Sequence, residues 1–465
     1  MKMEVDDMIN FENTMVRILE INIKNYKNTS NGTVEVSTIS NIENGRGDIR
    51  GIYGQNGSGK TSIISAMSLI KNIFSGMPLP EDIDKYIKYG ENESEINVLF
   101  FIENDKCKYK AKYSIIIAKN EEGCFIQRET LSYWDQSNEN DNWNKVKVLI
   151  DNQYDKSSIS PKYRNDEISG LFPDYNDLIV MKKIKFRDHQ SFIFSDELLR
   201  ILDSNSNTMG DEFSILQTLN HYAVFNLLII DNKQMALSNA NILLPINFKN
   251  YEGNIQRSMG VMPIGLEKAT YLPKFAITEI QTSLDSSNMV LSEIIPGLTI
   301  KLQEVSVRIS KSGQEEVAVE LMSCRDGVEI AIRYESDGIK KIVAIIHLLI
   351  SMFNYSSMTL LIDELDSGVF EYLLGEILEI LEERGKGQLI FTSHNLRPLE
   401  VLSKNSLVFT TTNPDNRYIK LKNVKANNNI RDMYYRDLIL DGQDEIIYGR
   451  TNSPRIARAF RKAGE

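Results

Sequence analysis

Residues 17–26 (RILEINIKNY) alternate apolar and polar side chains with the two-residue period of a half-buried strand, and 33–39 (TVEVSTI) does so less regularly. The pattern predicts an antiparallel β element near the start of the chain. Residues 49–53 form a short strand running into a glycine-rich turn, and 61–74 then place Ile63, Ile64, Met67 and Ile70 at helical spacing. Strand patterns return over 97–117, in NVLFFIE and KYKAKYSIII, and the polar stretches 136–144 and 151–166 predict loops. Helices are expected over 213–230 and 275–291, and a strand over 328–333.

Beyond Tyr334 the rhythm becomes regular: helix 338–352, strand 359–362, helix 369–381, strand 388–391, helix 396–402, strand 406–410. Such alternation predicts a parallel sheet covered by helices. No heptad repeat with apolar first and fourth positions is sustained through the middle of the chain, so no long coiled coil is expected.

Composition narrows the class. With 42% hydrophobic and 25% charged residues, the 465-residue chain has the balance of a soluble protein with a substantial core, and its length suits two or three packed units. A net charge of -11 repels nucleic acid on average, so any such contact requires a local basic patch. Arg450, Arg455, Arg458, Arg461 and Lys462 near the C-terminus are the candidate, against the plainer reading of a solvated helical tail. Cys107, Cys124 and Cys324 lack metal-ligand spacing and fit a reducing cytoplasm. The apolar runs, such as 342–352, are too short to cross a bilayer, and no basic-then-apolar leader is visible; the expectation is a cytoplasmic protein without membrane contact.

The chemistry lies at the two ends. Gly54, Gln55, Asn56, Gly57, Ser58, Gly59, Lys60 and Thr61 spell GQNGSGKT, the G-x-x-x-x-G-K-[ST] loop, between a predicted strand and a predicted helix. In such a loop backbone N–H groups turn inward around phosphate oxygens, the lysine reaches the β and γ phosphates, and the threonine ligates Mg²⁺. Ser62 supports the first helical turn. Residues 359–364 (TLLIDE) form an apolar strand ending in two carboxylates at the edge where parallel sheets place ligands. Asp363 is expected to hold Mg²⁺ and Glu364 to polarise the water that attacks the γ-phosphate.

Residues 334–341 (YESDGIKK) resemble the signature of ABC-type ATPases, with Ser336 and Gly338 at the matching positions and Lys340 and Lys341 in the first turns. In that family this helix end meets the γ-phosphate held by the opposite subunit. Glu335 and Asp337 depart from the transporter consensus, as soluble SMC-like members commonly do. Leu365, Asp366 and Ser367 resemble the family's D-loop. The run Thr392, Ser393, His394 and Asn395 matches its switch histidine, which senses the γ-phosphate. His189, His221 and His347 have no such support, and no Q-loop glutamine is assignable.

The resemblance covers about 16–75 and 330–412 and implies an α/β fold: an ABC-type P-loop ATPase head with a mixed parallel sheet, an N-terminal antiparallel element and an α+β insertion. It divides the chain into an N-terminal lobe (1–95), an insertion (96–326), a C-terminal lobe (327–430) and a tail (431–465) for partner contact. The cofactors implied are ATP and Mg²⁺, and the partner implied is a second copy, as a homodimer of heads or a higher homo-oligomer. The compact form resembles ATPases of the OLD, Septu and PARIS type in bacterial anti-phage defence. That resemblance implies a separate, nuclease-like effector and a nucleic acid or phage protein as trigger; the alternative is a DNA-binding repair or recombination ATPase. The acidic cluster Asp437, Asp441, Asp444 and Glu445 is read as surface or partner contact.

Overall fold

The computed structural model describes residues 13–464 except 106, 122, 137–141, 232–242, 253–254, 311–312, 423–428, 441–442 and 450–451. Part of the expected loop at 136–144, Asp441 and Arg450 therefore lie outside the described residues.

The N-terminal strand Met15–Tyr26 pairs antiparallel with both Thr29–Glu35 and Glu93–Glu103. The sheet then continues through Lys108–Asn120, Gly123–Gln136 and Lys147–Gln153, giving six strands. Along Met15–Tyr26 the burial alternates only in the middle, where Ile21 and Ile23 enter the core; residues 16–19 are buried in succession beside a bulge at Ile18/Glu20, and Tyr26 is buried at the strand end. The second six-stranded sheet runs Tyr418–Ile419, Leu407–Thr410, Asp48–Tyr53, Gln388–Thr392, Thr359–Ile362, Leu227–Ile230, and is parallel except for its first strand. Thr359–Ile362, Gln388–Thr392 and Leu407–Thr410 are buried on both faces and read as short, mostly apolar runs.

Two polar side chains fasten the sheets together. Gln388 accepts from Ile18 N at 2.7 Å and donates to Ile18 O at 2.8 Å, replacing a missing strand partner. Arg17, almost fully buried, pairs with Asp48 at 3.2 Å and donates to the carbonyls of Ser356 and Arg46. Burial pulls its guanidinium pKa down, and the Asp48 charge opposes that pull.

The expected helix over 213–230 is a correction. Ser214–His221 is α-helical, Tyr222–Asn226 is a π turn, and Leu227–Ile230 is a strand beside Thr359–Ile362 in the parallel sheet. A four-residue apolar run has no period that separates a buried strand from a buried helix. The loop expected at 151–166 likewise contains the end of strand Lys147–Gln153 and the start of helix Lys162–Ser169. Helix Lys274–Ile294, at 21 residues, packs on a further antiparallel sheet made from Thr270–Pro273, Glu315–Arg325, Thr299–Ile309 and Val328–Ala331. The fold is thus mixed α/β as expected, with no long coiled coil among the described residues.

Candidate functional site

The strand Asp48–Tyr53 delivers the glycine-rich loop to the C-terminal edge of the parallel sheet, and helix Lys60–Phe74 leaves from it. Gly54 is held at φ 155, and a Cβ there would lie 1.7 Å from Thr410 Oγ1, so a side chain at this position would break the turn. Lys60 folds back on its own loop, donating to Gly54 O at 2.8 Å and Gln55 O at 3.0 Å. Burial lowers its pKa, while Asp363, Glu364 and Asp366 pull it upward.

The acidic strand Thr359–Ile362 lies two places away in the sheet, so its terminal carboxylates face the loop. Thr61 Oγ1 donates to Asp363 Oδ1 at 3.2 Å, and Thr392 Oγ1 donates to the same oxygen at 2.6 Å. Asp363 Oδ2 is buried and has no hydrogen-bond partner among the described residues. A bare carboxylate oxygen beside a threonine hydroxyl, at the foot of a phosphate-binding loop, is a donor set that fits Mg²⁺: hard oxygens, few protein ligands, and room for phosphate and water to complete the shell. Glu364 is half-buried at φ 50, a left-handed conformation that costs a non-glycine residue about 1–2 kcal/mol.

The remaining expected residues gather at the same edge. Asp366 Oδ2 accepts the backbone N–H of His394 at 3.1 Å and of Asn395 at 2.8 Å, tying the D-loop to the switch loop; the His394 side chain is exposed. Ser336 caps helix Asp337–Asn354 by accepting from Ile339 N at 3.3 Å. Gly338 has a local reason to be glycine: a Cβ there would stand 2.2 Å from Gly368 O, the end of the D-loop turn.

Lys340 does not fit the expected contact with an opposite nucleotide. Its side chain is buried and its ammonium pairs with Asp337 at 3.0 Å. Its neighbour Lys341, also buried, donates to the Glu364 carbonyl at 2.5 Å and so joins the signature helix to the acidic pair. Burial pushes the Lys341 pKa down to about 8 against the pull of Asp366, Glu364 and Asp363. Ser62 is buried and donates to Asn28 Oδ1 at 3.4 Å. One of the C-terminal acids is also corrected: Asp437 is buried and accepts from Gln443 at 2.7 Å, so it braces the fold. Glu445 is half-buried and accepts from Asn413 and Asn416, while Asp444 lies at the surface as expected, paired with Lys422.

Asn28, Tyr418 and Thr410, which shape the site, carry no local sequence signal, whereas their partners lie within the motifs. Asn28 donates to Gly57 O, Tyr418 OH donates to Gly59 O at 2.7 Å, and Ser58 shares a hydrogen bond with Thr410. Thr392 accepts from Glu364 N at 2.7 Å while bonding Asp363, so one hydroxyl holds both acids. Its place directly before Ser393 and His394 at a strand end was the available clue.

Among the described residues no helix is long and apolar enough to cross a membrane. No curated protein matches the sequence. Among solved structures the chain is similar to an Smc head bound to the C-winged helix domain of ScpA, with 13% identity, a TM-score of 0.42, and coverage of 87% of this chain and 98% of that one. It is similar to the SMC head domain from Thermotoga maritima, with 14% identity, a TM-score of 0.36, and coverage of 87% and 99%. It is also similar to the recombination mediator protein RecF, with 14% identity, a TM-score of 0.36, and coverage of 84% and 97%. The family model described as AAA ATPase domain matches residues 17–397, most of the chain; the protein belongs to that family and is an ATP-hydrolysing enzyme.

Proposed function

We propose that this ATPase is a switch whose two nucleotide sites are completed when two heads meet face to face, and that it is the sensor or regulatory subunit of an anti-phage defence system controlling a separate effector. The observation that carries the nucleotide chemistry is the free, buried Asp363 Oδ2 beside Thr61 at the foot of the loop. Thr61 and Asp363 would hold Mg²⁺, which supplies positive charge where negative charge builds on the transferring phosphoryl group. Lys60 exchanges its two loop carbonyls for phosphate oxygens. Glu364 orients and polarises the attacking water, and the backbone around it is set by Thr392 and Lys341. His394 reports the γ-phosphate, and its link to Asp366 passes that report to the D-loop.

Pairing is supported by what surrounds the signature helix. Ser336 is exposed at the helix N-terminus, and large aromatic side chains stand in solvent beside it and beyond the D-loop, Tyr334 at 73% exposure and Phe370 at 68%. Exposed aromatics at a polar edge have the composition of an interface core. ATP closes the pair and hydrolysis opens it, so the output is a difference between two states rather than a flux. The defence role rests on the compact head resembling ATPases of the OLD, Septu and PARIS type.

The test is the native mass of Glu364→Gln protein with and without Mg-ATP, together with any co-purifying chain. ATP-dependent pairing supports the reading; an ATP-indifferent monomer overturns it. A DNA-binding repair or recombination ATPase is the second reading, favoured by the exposed basic helix Ser453–Ala463. Salt-dependent binding to duplex DNA, lost on reversing that helix's charge, would decide for it.

A further inference from the structure

The C-terminal segment crosses the nucleotide loop before it ends. Ile447 is buried, Thr412 N donates to Ile446 O at 2.8 Å, and Gly449 N donates to Gln55 Oε1 at 2.9 Å. The next described element, helix Ser453–Ala463, starts with an Asn452 cap and Pro454 in its first turn. Three residues separate Gly449 from Ser453, so over these four chain steps the helix is rooted within about 14 Å of the loop.

This helix is well specified, yet none of its residues is buried. Ile456 and Phe460, one turn apart, are exposed, Phe460 at 77%. Arg458, Arg461 and Lys462 form no ion pair among the described residues. A helix that keeps an apolar pair and a set of cations in solvent lacks its partner.

The complementary surface is on the same chain. Helix Glu371–Arg384 buries Leu374, Leu378 and Leu381 and turns Tyr372, Glu376, Glu379, Ile380 and Glu383 outward. Those five positions follow helical spacing along one stripe. Glu376, Glu379 and Glu383 form no salt bridge among the described residues, and Tyr372 and Ile380 are exposed. One helix thus offers two apolar side chains flanked by cations, and the other offers two flanked by carboxylates. Within one chain the two do not meet.

We infer that the Ser453–Ala463 helix of one copy docks on the outer face of the Glu371–Arg384 helix of a second copy, clasping the paired heads. The inference rests on the paired-head reading, which sets the loop of one head against the Ser336 end of the other. Gly338 at that end abuts Gly368, and the acidic helix begins three residues later, so the root of the clasp and its seat lie on the same side of the pair. The chain's own charge of -11 favours this occupant. Duplex nucleic acid has no use for Ile456 and Phe460, and two apolar side chains make a small face for a bilayer.

The test is carried out on full-length Glu364→Gln protein in Mg-ATP, with the dimer dissociation constant read by sedimentation. Reversing the seat (Glu376→Lys, Glu379→Lys, Glu383→Lys) or the clasp (Arg455→Glu, Arg458→Glu, Arg461→Glu) is expected to weaken pairing roughly tenfold or more, and the two reversals combined to restore most of it. Phe460→Ser is expected to weaken pairing at any salt concentration. If Glu364→Gln pairs and neither reversal alters it, or the combination fails to rescue, the clasp is wrong and the paired heads stand. If Glu364→Gln never pairs, the paired-head reading falls and takes the clasp with it. If the clasp reversal abolishes binding to duplex DNA or to phosphatidylserine vesicles but leaves pairing unchanged, the helix serves another partner and the inference is overturned.

Discussion

The two halves of the catalytic edge are built differently. The loop half is finished within one chain: Asn28, Tyr418 and Thr410 hold the loop from outside, Thr392 holds both acids, and Asp366 holds the switch backbone. The signature half is finished only as a surface, with Ser336 capping its own helix and Tyr334, Phe370 and Tyr372 facing solvent. A preorganised half requires no reorganisation at the moment of reaction, whereas an open half is where a second molecule can control it. The contrast separates residues that perform the chemistry from residues that decide when it happens.

The sharpest way to break the comparison is to disable the finished half. Glu364→Gln and Asp363→Asn are each expected to lower the phosphate-release rate by roughly 10²–10³-fold, the scale of removing one preorganised electrostatic group. Nucleotide binding, followed with a fluorescent ATP analogue, should persist in Glu364→Gln and be lost in Lys60→Ala. Hydrolysis within tenfold of wild type in Glu364→Gln would mean that another group polarises the water.

Much of this half was legible in the chain. The loop, the acids and the switch residues announce themselves because each sits at a strand end with a fixed local pattern, and the structure brings them to one edge. What escaped the sequence was whatever depends on distant partners. Asn28 and Tyr418 reach the loop from 31 and 359 positions away, counting from Gly59, so no window contains both. Lys340 and Lys341 look equivalent in sequence; only the packing of helix Asp337–Asn354 shows that one pairs with Asp337 and the other with the Glu364 carbonyl. Leu227–Ile230 was misread because a short apolar run is neutral between helix and strand until its slot in the sheet is known.

A smaller intervention tests whether the acids are held or merely adjacent. Thr392→Val removes the hydroxyl that donates to Asp363 and accepts from Glu364 N, in a fully buried position of nearly equal volume. The expected loss is about 10–100-fold in hydrolysis, with a higher Mg²⁺ requirement, as for other groups that orient a metal ligand. Thr392→Ser keeps the hydroxyl and should stay close to wild type. An unchanged Mg²⁺ titration in the valine variant would leave Thr392 a packing residue only.

The smallest effect probes the bond between the halves. Lys341 carries its ammonium from the signature helix to the Glu364 carbonyl, and burial depresses its pKa from 10.5 to about 8. Below pH 8 both folded and unfolded chains hold this proton, and the desolvation penalty on the folded state is constant. Between pH 8 and the unfolded value the unfolded chain holds more protons, so folded stability gains with rising pH, at most about 1.4 kcal/mol per unit. Lys341→Met lacks the group and therefore the gain. Urea unfolding from pH 7.5 to 10 should show wild-type stability rising relative to Lys341→Met across that window, and a constant difference would mean that this ammonium is solvated. In that case burial would not set the protonation of the group that links the two halves at Glu364.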